Sequence, residues 1–359
     1  MSLTETLEGE LDRGLADRVF PCAVAEVWRE GGSVAWAAWG VTSTRDGVPA
    51  VRSTLFDLAS VTKVFTATVA WRLHCRGALS VEDPVRRWFP DFQDGEVRVL
   101  DLLRHTSGLP AWYPYYEEPE LRSREAVVRD VLLEPIVPAG RARERACYSD
   151  LGFIVLREVL EAAGGSTPLP RLIEREVAEP LGLASVRFLP ADGVDRPEVE
   201  GRPVAATSLC PWRGRVLRGE VHDDNTWVMG GVSGHAGIFG TAADVSRLGA
   251  AWLHARAGRT QGFLPRDVAL RATTASLGGR TPGFDVKSGG GSAAGGLMSP
   301  STFGHLGFTG CSLWCDPDRD LVVVLLSNRI HPSPTNWEIK TFRPAFHDAV
   351  IRAADAETR

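Results

Sequence analysis

Apolar residues between positions 7 and 19 recur at helical spacing and predict a helix. Two short runs follow, 21–28 and 33–41, rich in Val, Ala and Trp and separated by Glu30-Gly31-Gly32, which predicts a β-hairpin. Residues 54–58 read as a short strand. From 59 to 75, Val61, Val64, Phe65, Thr68, Val69 and Leu73 mark a helix buried on a broad face. In the middle of the chain, 99–103, 123–133, 150–163 and 169–179 have helical patterns, with Ser149 or Asp150 as cap of the third. The glycine-rich stretch 283–296 predicts a mobile loop. Segments 302–309, 311–315 and 321–327 are strand-like, with a turn at Asp316-Pro317-Asp318, and 339–354 closes the chain as a helix. Strands at both ends with helices between predict an α+β fold whose antiparallel sheet is made by both termini. The missing strand–helix alternation argues against a parallel doubly wound sheet. The predicted division is a sheet region, 1–77 with 246–359, and a mostly helical region, 78–245, with a groove between them.

Composition narrows the function classes. The chain has 359 residues, 44% hydrophobic and 24% charged, an ordinary globular balance. Net charge is −5 and no basic block stands out, so nucleic acid is not an expected partner. The longest aliphatic run, 321–326, is far short of the ~20 residues of a membrane span. The N-terminus lacks the basic start and apolar core of a secretory signal. The six cysteines are scattered. Cys311 and Cys315, on one predicted strand, would lie roughly 13 Å apart, too far to bridge. Reduced, buried thiols and a cytoplasmic location are the expectation.

One scarcity matters: of 40 basic residues only Lys63, Lys287 and Lys340 are lysine. Lys63 stands three residues after Ser60. On a helix that spacing puts both side chains on one face, so the amine can reach the hydroxyl. A serine hydroxyl needs a partner to take its proton, and a lysine can become such a base where an arginine cannot. Alone, the pair is equally compatible with a solvated lysine on a surface helix. Tyr148, in Tyr148-Ser149-Asp150, is the only tyrosine outside the cluster Tyr113, Tyr115 and Tyr116. A phenol beside a lysine can relay a proton, although a buried aromatic before a helix cap explains the same residues. His305-Leu306-Gly307-Phe308-Thr309-Gly310 places glycines on a strand, where a substrate backbone approaches closely and free N–H groups can face an oxyanion. The loop Trp112-Tyr113-Pro114-Tyr115-Tyr116 reads equally as a cleft wall or as packed surface. His222-Asp223-Asp224 reads as a hydrogen-bonded loop rather than a metal site.

In this order, Ser60-Val61-Thr62-Lys63, Tyr148-Ser149-Asp150 and His305-Leu306-Gly307 resemble the serine β-lactamase and penicillin-binding-protein superfamily, nearest its class C branch with the related esterases and D-amino-acid peptidases. The flanks resemble it too: Phe56-Asp57-Leu58-Ala59, the run from Leu102 to Leu109, the Gly230–Gly237 stretch and the strand ending at Asn328. The resemblance spans roughly 20–350.

That resemblance implies a β-lactamase-like fold and an acyl-enzyme mechanism needing neither metal nor cofactor. Ser60 would be the nucleophile, Lys63 its activator and Tyr148 the proton shuttle, with an oxyanion hole from the N–H groups of Ser60 and Phe308. Asp150, His305, Gly307 and Arg329 would contact substrate. Asp150 stands where many members have Asn, and as a carboxylate it would hold Lys63 charged. His305 stands where many β-lactamases and peptidases have Lys, which weakens carboxylate recognition. The expected function is therefore a serine hydrolase, first a carboxylesterase, then a β-lactamase or D-alanyl-D-alanine carboxypeptidase. The expected partners are a small ester, a β-lactam or a short D-amino-acid peptide. The alternative of another class is a non-catalytic peptide-binding or scaffold relative.

Overall fold

The computed structural model describes residues 1–259, 262–275 and 280–357. Its main sheet has six strands in the spatial order Asp285–Val286, Phe303–Leu306, Ser312–Asp316, Leu321–Ser327, Cys22–Arg29 and Gly32–Gly40. Every neighbouring pair is antiparallel, and the two termini meet where Cys22–Arg29 pairs with Leu321–Ser327, from Ala23 opposite Ser327 to Arg29 opposite Leu321.

Both faces of this sheet are covered. That is why Leu321–Ser327 is buried at every position and reads as an unbroken apolar run rather than an alternation. Ala23, Ala25, Val323 and Leu325 face the terminal helices, Leu3–Ala16 and Ile339–Glu357, through Leu7, Leu11, Phe346 and Val350. Val24, Leu313, Val322 and Val324 face the central helices. A helix at Ala242–Arg256, capped by Thr241, lies directly on that second face. Its Gly249 permits the approach, since a Cβ there would sit 2.8 Å from Val322 and 2.9 Å from Leu313. The predicted boundary at 245/246 falls inside this helix. Its small residues obscure the amphipathic period, so it does not announce itself in the pattern.

Other expectations are met with shifts of a few residues. The first helix runs Leu3–Ala16, and the strand at 54–58 shrinks to Phe56–Asp57, which pairs with Ile238–Gly240 in a separate small sheet. The stretch 169–179 is helical but passes through a π turn at Glu174–Ala178. The predicted loop at 283–296 contributes the edge strand Asp285–Val286 before its turns begin. All six cysteines are free, but Cys75 and Cys147 are exposed rather than buried. Among the described residues, no helix is long and apolar enough to cross a membrane.

Candidate active site

The helix Thr62–Cys75 is buried nearly all round, from Thr62 to Leu73, so it sits in the centre of the molecule. Its entry is tightly specified. Ala59 has φ +45, an unfavourable region for a residue with a Cβ. The conformation is held by Asp57, whose carboxylate accepts the Ala59 N–H at 2.8 Å and the His222 N–H at 2.7 Å. Burial pushes the Asp57 carboxyl up to about 6 against the two N–H donors. One 3-10 turn, Ala59–Val61, then presents Ser60 at the helix entrance.

Lys63, one turn on, is fully buried. Its Nζ donates to Ser60 Oγ at 3.0 Å, to Asp150 Oδ1 at 2.7 Å and to the His235 carbonyl at 3.4 Å. It also lies 4.7 Å from the Tyr148 ring centroid and 5.6 Å from that of Phe153. Burial alone would lower the lysine pKa, but the Asp150 carboxylate and the Tyr148 phenol outweigh it and raise it. At rest this lysine is an ammonium. Tyr148 is shifted up, chiefly by burial and against the pull of Lys63, so its phenol is protonated.

The segment carrying Tyr148 is clamped by His105. The His105 carbonyl accepts the Cys147 N–H at 2.9 Å, its Nδ1 accepts the Ser149 N–H at 3.0 Å, and its ring lies against Tyr148 with centroids 4.6 Å apart. Because Nδ1 accepts, Nε2 carries the proton of the neutral ring. Burial and the nearby Lys63 hold the His105 pKa well below its usual value. Ser149 caps the helix Asp150–Ala163 by accepting from Gly152 N at 3.0 Å, which sets Asp150 in the first turn facing Lys63. The Gly230–Gly237 stretch supplies the third wall: Gly234 O accepts from Thr66 and His235 O from Lys63.

Across the groove, Phe303–Leu306 ends in a turn tied to the backbone just before Ser60. Thr309 Oγ1 donates to Asp57 O at 2.8 Å, and a Cβ on Gly307 would meet Leu58 O at 2.5 Å. Phe308 N–H has no acceptor among the described residues, as an oxyanion donor requires. His305 is buried, with Nδ1 2.8 Å from Leu306 O, and burial lowers its pKa, leaving it neutral at pH 7.5. A cleft of about 690 Å³ joins the two sides, within the usual range for small-molecule sites. Ser60, Tyr148, Asp150, His305 and Gly307 all line it.

Arg329 also reaches the cleft wall, but its fork is largely occupied. Nε donates to Phe308 O at 2.9 Å, one Nη donates to Pro334 O and Asn336 O, and the guanidinium lies 4.5 Å from both the Phe308 and Trp337 ring centroids. The aromatic loop divides: Trp112 and Tyr116 line the cleft, whereas Tyr115 is fully buried. His222, Asp223 and Asp224 form a hydrogen-bonded network, in which Asp223 caps Asp224–Val228 and approaches His235. Sequence reasoning missed Asp57, His105 and the His235 carbonyl as supports of the site. All three lie within the flanking motifs, but nothing in their spacing shows what they hold.

Comparison with known proteins gives the family and the fold. The sequence matches the Beta-lactamase family over residues 7–340. A protein of Escherichia coli (strain K12), named provisionally as a D-alanyl-D-alanine carboxypeptidase, is 30% identical over 368 residues, covering 90% of this chain and 82% of its own. Among solved structures, EstCE1, described as a hydrolase with promiscuous acyltransferase activity, superposes with a TM-score of 0.74 at 24% identity, covering 97% of this chain and 98% of that one. A class C beta lactamase from Rhodobacter sphaeroides gives 0.71 at 18%, covering 97% and 99%. At those identities the two structures speak for the fold alone, while the family match extends over nearly the whole sequence. This chain belongs to the beta-lactamase family and is a serine hydrolase.

Proposed function

We propose that the protein is a carboxylesterase that works through an acyl-enzyme on Ser60. The observation that carries the choice of ester is the neutral, buried His305 on the strand facing the nucleophile, with Arg329 already engaged by three backbone carbonyls. A substrate carboxylate gains little there, whereas a neutral acyl group fits a cleft walled by Trp112, Tyr116 and Phe308.

The proton inventory suggests a relay. Lys63 is charged at rest and cannot accept a proton until it gives one up. Asp150 Oδ1, 2.7 Å away, is the acceptor. As Ser60 Oγ attacks the ester carbonyl, its proton passes to Lys63 Nζ while a Lys63 proton passes to Asp150. The tetrahedral oxyanion is held by the N–H groups of Ser60 and Phe308. Tyr148 protonates the departing alkoxide and becomes a phenolate beside the Lys63 ammonium. In deacylation that phenolate takes a proton from water, and the hydroxide attacks the acyl carbonyl. Ser60 Oγ recovers its proton from Lys63, which is refilled from Asp150. The cycle closes with every group in its starting state.

The second reading is a D-alanyl-D-alanine carboxypeptidase or β-lactamase, favoured by the name of the Escherichia coli relative and by Lys340, whose ammonium stands at the cleft rim 4.4 Å from the Trp337 ring. The decisive experiment is intact mass spectrometry with a slow ester and a β-lactam, alongside turnover of p-nitrophenyl esters, nitrocefin and D-Ala-D-Ala peptides. One adduct on Ser60 with ester turnover supports the proposal. An adduct that never turns over points to an acyl-trapping binder, and an adduct on another serine, such as Ser233, refutes the mechanism.

A further inference from the structure

Arg343, on the C-terminal helix, has no role in the relay, yet it is 7% exposed and lies on the wall of the same cleft. Among the described residues, none of its contacts is to a carboxylate. One Nη donates to Gly307 O at 2.9 Å and to Cys311 O at 2.7 Å, and its Nε is buried with no hydrogen-bond partner. Burying a guanidinium without a counter-charge is expensive. Burial pushes its pKa down to about 10, with Cys311 opposing the shift and Arg329 adding repulsion. Packing would be served as well by a methionine, so the charge calls for another explanation.

The explanation lies in one peptide unit. Gly307 C=O and Phe308 N–H belong to the same amide. The only cis bond among the described residues is His331-Pro332, so this amide is trans and its two polar groups point in opposite directions. The carbonyl points inward, where it accepts from both Arg343 and the Gly310 N–H, at 3.1 Å from the latter. The N–H points the other way and has no acceptor among the described residues. Cys311 O, the other carbonyl bonded to Arg343, also accepts the Gly307 N–H at 2.7 Å, so the guanidinium bridges both ends of the 307–311 turn. Arg329 fixes the next amide through Phe308 O. A charged donor on an amide oxygen draws electron density toward it and makes the N–H across the same bond a stronger donor, an effect enhanced where water is excluded.

We propose that Arg343 is a positioning residue of the oxyanion hole: its buried charge fixes the Gly307–Phe308 amide and polarises the Phe308 N–H toward the developing oxyanion. This rests on the acylation of Ser60 proposed above. Removing a whole oxyanion donor costs about 10²–10³ in kcat. Weakening one in place should cost about tenfold, with KM changed less than about twofold.

The test compares wild type, Arg343→Met and Arg343→Lys on a p-nitrophenyl ester and its thiono analogue, whose C=S sulfur is a poor hydrogen-bond acceptor. Arg343→Met should lower kcat for the ester about tenfold and for the thionoester much less, so the oxo/thiono ratio of kcat/KM falls by nearly the same factor. Arg343→Lys keeps a cation near Gly307 O and should recover part of the ratio. It also serves as the second variant should Arg343→Met not fold. A folded variant whose ratio equals that of wild type overturns the inference, whether or not overall activity falls, because a purely structural role would lower both substrates alike. If wild type forms no Ser60 adduct, the acyl-enzyme reading falls. If the adduct forms and the ratios do not move, only the role of Arg343 falls.

Discussion

The two sides of the cleft handle buried charge in opposite ways. On the helical side, the Lys63 ammonium is matched by the Asp150 carboxylate at 2.7 Å. On the strand side, Arg329 and Arg343 donate to backbone carbonyls and meet no carboxylate among the described residues. A matched pair can pass a proton between its members with little change in net charge, which suits a relay. An arginine never deprotonates near neutral pH and cannot take part in one. What it can do is hold a fixed field, which suits a site where negative charge appears and must be met by groups already in place. The difference suggests that proton movement belongs to one wall and electrostatic stabilisation to the other.

The largest expected effects fall on the helical wall. Ser60→Ala should abolish the adduct and lower kcat by about 10⁴-fold or more, since the rest of the machinery has nothing to act on. Lys63→Arg should lose activity nearly as fully as Lys63→Ala, on the order of 10²–10³-fold in kcat, because it keeps the charge but cannot pass a proton. Steady-state kinetics on one ester series checks both. If Lys63→Arg keeps more than about a tenth of wild-type kcat, a loss of under ~1.4 kcal/mol, Lys63 is an electrostatic residue and the contrast between the walls disappears.

The strand side should show its intolerance of further charge as acid instability. His347, buried against Ser312 and donating from Nδ1 to Ala293 O at 2.9 Å, has its pKa pushed to about 4, first by burial, with Arg343 opposing its charge as well. The unfolded chain takes up that proton near 6.5, so its neutral form favours the fold above pH 6.5 and this contribution is lost as pH falls toward 4. The size is roughly 3 kcal/mol. Asp57, raised to about 6, works the other way, because its native form holds a proton that the unfolded chain releases near 3.8. Denaturant melts of wild type and His347→Gln at pH 7.5 and 4.5 should show a smaller acid loss in the variant. Equal losses would mean that His347 protonates without cost.

Asp150→Asn sharpens the helical side with a smaller effect. With the relay, the variant folds normally and loses about 10- to 100-fold in kcat, because Lys63 has no acceptor for its proton. If Lys63 alone were the base, removing the carboxylate would lower the lysine pKa and move the acidic limb of the kcat/KM profile to lower pH, raising activity there. A rise below neutrality in a pH series would therefore break the relay, and an unchanged profile would leave Asp150 only a structural place in its helix.

The asymmetry also explains what the sequence showed. Ser60 and Lys63 are legible because their relation is local: three residues apart on one helix, in a chain with almost no other lysine. The hairpin and the unbroken run 321–326 are legible for the same reason. Arg343 acts on a carbonyl 36 residues away, and in a chain whose basic residues are nearly all arginine nothing marks it. His105 is hidden for a related reason, since it works through its backbone carbonyl and one ring nitrogen on a segment more than 40 residues distant. Arg329 was legible as a cation near the cleft, but the carbonyls that occupy it were not.

The smallest expected effect concerns substrate choice, and it acts on the strand side. A lysine at His305 would add the cation that the matched position lacks. Charged partners contribute about 1.5–3 kcal/mol per hydrogen bond. The lower end applies here, because the site is fully desolvated and Lys63 already opposes charge on this side chain. That is about tenfold in kcat/KM for a substrate with a carboxylate, and nothing for a neutral ester. His305→Lys should therefore raise the nitrocefin/p-nitrophenyl ester ratio of kcat/KM about tenfold at pH 7.5 while leaving the ester rate within about twofold. An unchanged ratio would mean that Arg329 or Lys340 already supplies the carboxylate contact, so that the strand wall recognises ground-state charge as well as the oxyanion. If wild type hydrolyses nitrocefin faster than every ester tested, the preference for esters is wrong, and the buried histidine no longer distinguishes this cleft from one built for β-lactams.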